Sequence, residues 1–103
     1  MKRWMNATIK WIQTKDGGRR LPMAIGIRYC PIIEFPSTIA QKKFWSADIY
    51  VLSQTNRYES TAKLSYFSEK APFELLQEGV DFELYEGDRL VATGTICSEY
   101  ETS

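Results

Sequence analysis

Two glycine-bearing turns, each set between alternating segments near opposite ends of the chain, constrain the fold more than any other feature of this sequence. In the first, Ala7, Ile9 and Trp11 alternate with Thr8, Lys10 and Ile12 ahead of Lys15-Asp16-Gly17-Gly18. A period of two sends successive side chains to opposite faces of a strand, and glycine supplies the positive φ that a tight turn needs. In the second, residues 81–85 and 90–97 flank Glu86-Gly87-Asp88-Arg89, which predicts a tight hairpin. Phe82 and Leu84 would face the core from one strand, and Leu90, Ala92, Gly94 and Ile96 from the other.

Between these ends the pattern remains one of short strands. Residues 23–29 and 32–35 are rich in Ile, Tyr and Phe and are separated by Pro31. Proline cannot donate to a ladder, so Pro31 marks an edge, a bulge or a bend. Residues 37–43 read as a loop, 44–52 as the clearest strand by propensity, and 53–57 as a polar connection. Residues 61–67 alternate again, 68–72 form a turn, and 73–76 predict a short strand or one helical turn. No amphipathic helix, internal repeat or low-complexity segment interrupts the series. Short strands with turn signals at this spacing predict an all-β fold, a small antiparallel barrel or sandwich. The expectation is one domain over residues 1–103, and the resemblance described below makes it a β-barrel of six or seven antiparallel strands.

With 103 residues, 44% of them hydrophobic, the chain can build one modest core and is too apolar for a disordered segment. No apolar run approaches the roughly 20 residues a membrane-spanning helix requires. Met1-Lys2-Arg3-Trp4 is positively charged, yet the stretch after it is too polar for a signal-peptide core. A soluble cytoplasmic protein is therefore expected, with no membrane partner.

Net charge is zero, which argues against a general nucleic-acid binder. The distribution is uneven: residues 1–51 carry nine Lys/Arg and three Asp/Glu, whereas residues 52–103 carry four and ten. Either the surface is dipolar, with Lys2, Arg3, Arg19, Arg20, Lys42 and Lys43 in one basic patch, or the strands interleave and mix the charges.

The catalytic inventory is thin. Histidine is absent, which excludes Ser-His-Asp and Cys-His nucleophiles. Cys30 and Cys97 fit neither a zinc site nor a Cys-x-x-Cys pair, and are expected to be reduced, small, buried residues. Glu83 and Glu86 form either an acid–base pair or part of a solvated strand face. Gly17-Gly18-Arg19-Arg20 has the composition of a phosphate cradle, but without a following helix it reads as a turn. Trp4, Trp11 and Trp45 either stack on bases or pack in the barrel. The residues thus predict no enzyme, no metal and no cofactor.

Taken in order, the two turn segments resemble the third domain of elongation factor Tu, its carboxy-terminal β-barrel. The first segment matches at Asp16-Gly17-Gly18-Arg19, Pro22, Gly26 and Arg28. The second matches at Gly79, Phe82, Glu86, Gly87, Arg89 and Gly94. The likeness spans nearly the whole chain, with residues 36–59 matching loosely. In that family the domain helps hold the T stem of aminoacyl-tRNA and docks on protein partners. The resemblance would carry contact roles onto Arg19, Arg20, Arg28, Glu86, Gly87 and Arg89. The chain departs from the family where Arg-Pro-Gln-Phe becomes Arg28-Tyr29-Cys30-Pro31, where a threonine-rich loop is missing, and in having no phosphate-binding loop for GTP. The resulting expectation is a non-catalytic module that binds a protein partner through its barrel surface, immunity- or translation-related by mimicry. The alternative is a tRNA-binding module using the basic amino-terminal half.

Overall fold

A single register explains the most irregular part of the architecture. The computed structural model describes residues 3–12, 25–36 and 45–100. Strands β2 (Arg28–Tyr29) and β3 (Ile32–Glu34) both run antiparallel along one edge of β4 (Trp45–Asn56). Arg28 faces Tyr50, Tyr29 faces Ile49, Ile32 faces Ser46 and Ile33 faces Trp45, so the two strands are one ladder with a gap. The gap is Pro31. Its carbonyl accepts from the Ala47 N–H at 2.7 Å, but it has no N–H to return.

The remaining strands close the sheet. β1 (Met5–Trp11) lies between β5 (Glu59–Tyr66) and β7 (Arg89–Glu99), while β6 (Asp81–Glu86) joins β7 to β3. Pairing of β4 with β5 completes a six-stranded antiparallel barrel in the order β4-β3-β6-β7-β1-β5, with β2 as an extra strand. The fold is therefore all-β, and closure removes the edges that a sandwich would leave. Residues 73–75 form a 3-10 turn, the second of the two readings open for that stretch.

Alternation sorts the core. Met5, Ala7, Ile9 and Trp11 point inward from β1, Ala47, Ile49 and Val51 from β4, and Ala62, Leu64 and Tyr66 from β5. Phe82, Leu84 and Ile96 meet them from the hairpin side. Burying each of the larger of these side chains contributes about 1.5–3 kcal/mol, so the one-face pattern outweighs any local strand propensity.

Four expectations are corrected. Leu90 is half-buried and Val91 takes the core, because β7 bulges where Leu84 faces Ala92 but Tyr85 faces Leu90. The extra residue sends Val91 and Ala92 inward together, both fully buried. Residues 53–56 continue β4 through two register shifts rather than forming a loop, and the turn falls at Arg57-Tyr58. Of the expected strand at 23–29, residues 23 and 24 lie outside the described residues, and among residues 25–29 only Arg28–Tyr29 is strand, since Gly26 takes a positive φ of 86° in a turn with Ile25. Cys30 and Cys97 are exposed, not buried, and neither is disulfide-bonded. Both sit one residue from an inward position, Pro31 and Ile96, so the pleat turns them outward. The first glycine turn and the expected loop at 37–43 lie outside the described residues.

Candidate interaction surface

Outward-facing residues of β4 build the most distinctive surface, because Asp48 lies among them and yet is only 1% exposed. Arg28, diagonal to it across the ladder, covers it. Arg28 Nε donates to Asp48 Oδ1 at 2.8 Å and Nη2 donates to Oδ2 at 3.0 Å, the two-pronged fit that a planar guanidinium makes with a carboxylate. These hydrogen bonds, opposed in part by desolvation, raise the Arg28 pKa above its ordinary value. Cys30 faces Asp48 from β2's end of the ladder, with its Sγ 3.9 Å from Oδ1. Ser65, opposite Asp48 on β5, is buried and donates to the Arg3 carbonyl at 2.7 Å.

The guanidinium also lies over two aromatic rings. Arg28 Cζ lies 5.6 Å from the Tyr50 ring centroid and 5.3 Å from that of Phe67. Delocalised cations are attracted to ring faces at this range. Exposed apolar groups surround the stack: Phe67 is 53% exposed, Leu52 39%, Ile27 44% and Ile25 64%. Leu52 continues the outer row of β4, and the Gly26 N–H to Val51 O bond of 2.9 Å brings Ile25 and Ile27 beside it. The result is a strip running Phe67, Arg28, Tyr50, Leu52, with the two isoleucines at one end.

The turn-end candidates have a different character. Glu86 accepts from the Tyr29 hydroxyl through one oxygen and from Arg89 Nη2 at 3.0 Å through the other. Gly87 takes φ +65° at the first central position of the two-residue turn, where a side chain would be strained. Glu86 thereby ties β2 to the β6–β7 hairpin, and Tyr29 in turn packs on Trp11 with centroids 5.8 Å apart. Glu83 accepts instead from the Tyr85 hydroxyl at 2.9 Å. The two carboxylates serve separate partners, so the fold does not assemble them as an acid–base pair. Burial, followed by the bond to Glu83, pushes the Tyr85 pKa up to about 12.

The three tryptophans separate. Trp11 is core, its Nε1 donating to Ser60 Oγ at 2.9 Å, and Trp45 packs edge-on against Tyr66. Trp4 reaches the exterior, beside Lys63. That grouping was missed in the sequence; only the register setting Tyr50 opposite Lys63 reveals it. Arg19 and Arg20, and most of the expected basic patch, lie outside the described residues. Among the described residues the acids Glu34, Asp81 and Glu83 share the outer face of β3 and β6, and β6 stands opposite β5 in the barrel order.

A groove of about 430 Å³ crosses β6, β7 and β1, lined by Thr8, Thr95, Asp81 and Glu83 among others. Its Asp81 accepts from Thr95 Oγ1 at 2.7 Å. Among the described residues no three His, Cys, Asp or Glu side chains are grouped to hold a metal, and no helix is long and apolar enough to cross a membrane. No protein-family model matches this sequence, and no curated protein matches it.

Proposed function

We propose that this barrel is a non-catalytic interaction module that binds a protein partner through the Phe67–Arg28–Tyr50–Leu52 strip. The observation that carries the reading is the Arg28 side chain, lying over two rings and oriented by a buried carboxylate, with exposed apolar groups around it. Arginine and aromatic residues dominate the binding energy of protein interfaces, where a side chain ordered beforehand loses less entropy on docking. A patch of Ile, Leu and Phe offers nothing to a phosphate backbone. Both oxygens of Asp48 already engage the guanidinium, which further favours a protein over an RNA.

The resemblance of the turn segments to the third domain of elongation factor Tu supports a finer version. In it, the chain is a free-standing relative of that barrel in a bacterial cytoplasm, binding a translation component or a toxin by mimicry, with GTP chemistry left behind.

Affinity capture from a native lysate, with and without ribonuclease, tests the reading. The expected result is a protein that survives ribonuclease and is lost when Phe67→Glu is combined with Leu52→Glu. Capture that consists of RNA, or that ignores the double substitution, would overturn it.

A further inference from the structure

Lys63 projects outward from β5, directly opposite Tyr50 on β4 and Asn6 on β1. Its ammonium lies 4.9 Å from the Tyr50 ring centroid, 5.1 Å from that of Trp4 and 5.2 Å from that of Tyr100. The walls come from three segments distant in sequence, and local bonding holds them in place. The Tyr100 N–H donates to the Trp4 carbonyl at 2.9 Å. Asn6 Nδ2 donates to Ser98 Oγ and to the Glu99 carbonyl at 3.1 and 3.2 Å, and Arg3 pairs with Glu99 at 3.2 Å. The Trp4 and Tyr50 rings are 5.8 Å apart and inclined at 54°, splayed like two walls of a box. All four side chains are half-buried, so the box opens to solvent.

We propose that this box is a binding site for a quaternary ammonium group, with Lys63 as its tethered resident. Three ring faces converging on one point select a cation there. The resident is a primary ammonium, which gives up water hydrogen bonds to sit among rings that return none. A quaternary ammonium has no N–H to desolvate, so the same walls suit it better. Displacing Lys63 is cheap, because a half-exposed cation–ring contact is worth only about two- to five-fold in an equilibrium. The site shares Tyr50 with the strip, but Trp4 and Tyr100 lie outside it and its test needs no partner protein.

The probe is tetramethylammonium chloride, titrated into the isotope-labelled chain at constant ionic strength, with sodium chloride as the control. The expected result is a saturable shift of the Trp4 indole resonance. Lys63→Ala should lower the half-saturating concentration about two- to five-fold, and Trp4→Leu should abolish the response in a chain that still melts cooperatively. Should Trp4→Leu unfold, Tyr100→Leu makes the same test. Parallel titrations with choline and with a trimethyllysine peptide separate a small-molecule source from a modified protein tail, the tighter ligand naming the source. Shifts no different from those with sodium chloride, or a Lys63→Ala chain that binds no tighter than wild type, would overturn the proposal.

Discussion

Arg28 and Asp48 form a bidentate pair whose two members differ in burial: the Asp48 side chain is 2% exposed and that of Arg28 46%. The asymmetry predicts unequal costs. Removing Arg28 strands a carboxylate in a site closed to water, whereas removing the carboxylate leaves a guanidinium that can turn to solvent. Arg28→Met should therefore be clearly the more destabilising of the two, with Asp48→Asn costing about 1 kcal/mol. Urea unfolding of both variants checks the ranking. Equal costs would mean that Arg28 does not shield Asp48 as described.

A second prediction concerns Gly94. A Cβ built there would lie 2.4 Å from Phe82 Cζ and 2.5 Å from the Thr8 carbonyl oxygen. Gly94→Ala should cost about 2–3 kcal/mol through overpacking. Phe82→Leu in the same chain should recover part of that loss, but not all, since the Thr8 carbonyl belongs to backbone. A double-mutant cycle measures the coupling.

Alkaline pH should unfold the barrel through its tyrosines. Tyr85 has its pKa raised from 10.0 to about 12, by burial and then by Glu83, and burial raises Tyr66 in the same direction. A phenol whose folded pKa exceeds its unfolded one stabilises fully below the unfolded pKa. That contribution falls away as pH rises through the folded value. The denaturation midpoint should thus be flat up to about pH 10 and decline from there toward 12, and Tyr85→Phe should decline less steeply. A midpoint independent of pH over that range would contradict the burial of these hydroxyls.

The two ends of the fold differ in how much of them the residues disclose. The β6–β7 hairpin is legible in alternation plus Gly87, whose positive φ the turn demands. Its bulge is not, because an extra residue in one strand leaves no mark on composition; Leu90 therefore reads as core where Val91 occupies it. Cys97 was misplaced for a different reason. Residue type argued for burial, while its position next to Ile96 argued for exposure, and position prevailed. The Arg28–Asp48 pair and the Lys63 box were out of reach of the sequence because each needs the β4 registers first. Pro31 supplied only half of that information, marking the break between β2 and β3 but not their shared alignment.

Transfer RNA should not bind measurably at physiological salt. Where the elongation factor Tu barrel that the sequence resembles carries a glutamine, this chain has Cys30, whose thiol faces Asp48, and Glu86 is engaged by Tyr29 and Arg89. Each missing polar contact costs about 1 kcal/mol. Filter binding against salt concentration checks this, and micromolar binding that weakens with salt and vanishes in Arg19→Ala/Arg20→Ala would favour the RNA reading.

The Phe67–Arg28–Tyr50–Leu52 strip is the proposed docking face. The direct measurement is a calorimetric titration of the captured partner against two variants matched for charge change. One is Phe67→Glu with Leu52→Glu; the other, on the outer face of β1 and β7, is Thr8→Glu with Thr95→Glu. The prediction is a loss of roughly 100-fold or more for the strip variant, the effect of losing hot-spot contacts, with the second variant within about three-fold of wild type. Equal losses in both, or undiminished binding by the strip variant, would contradict it.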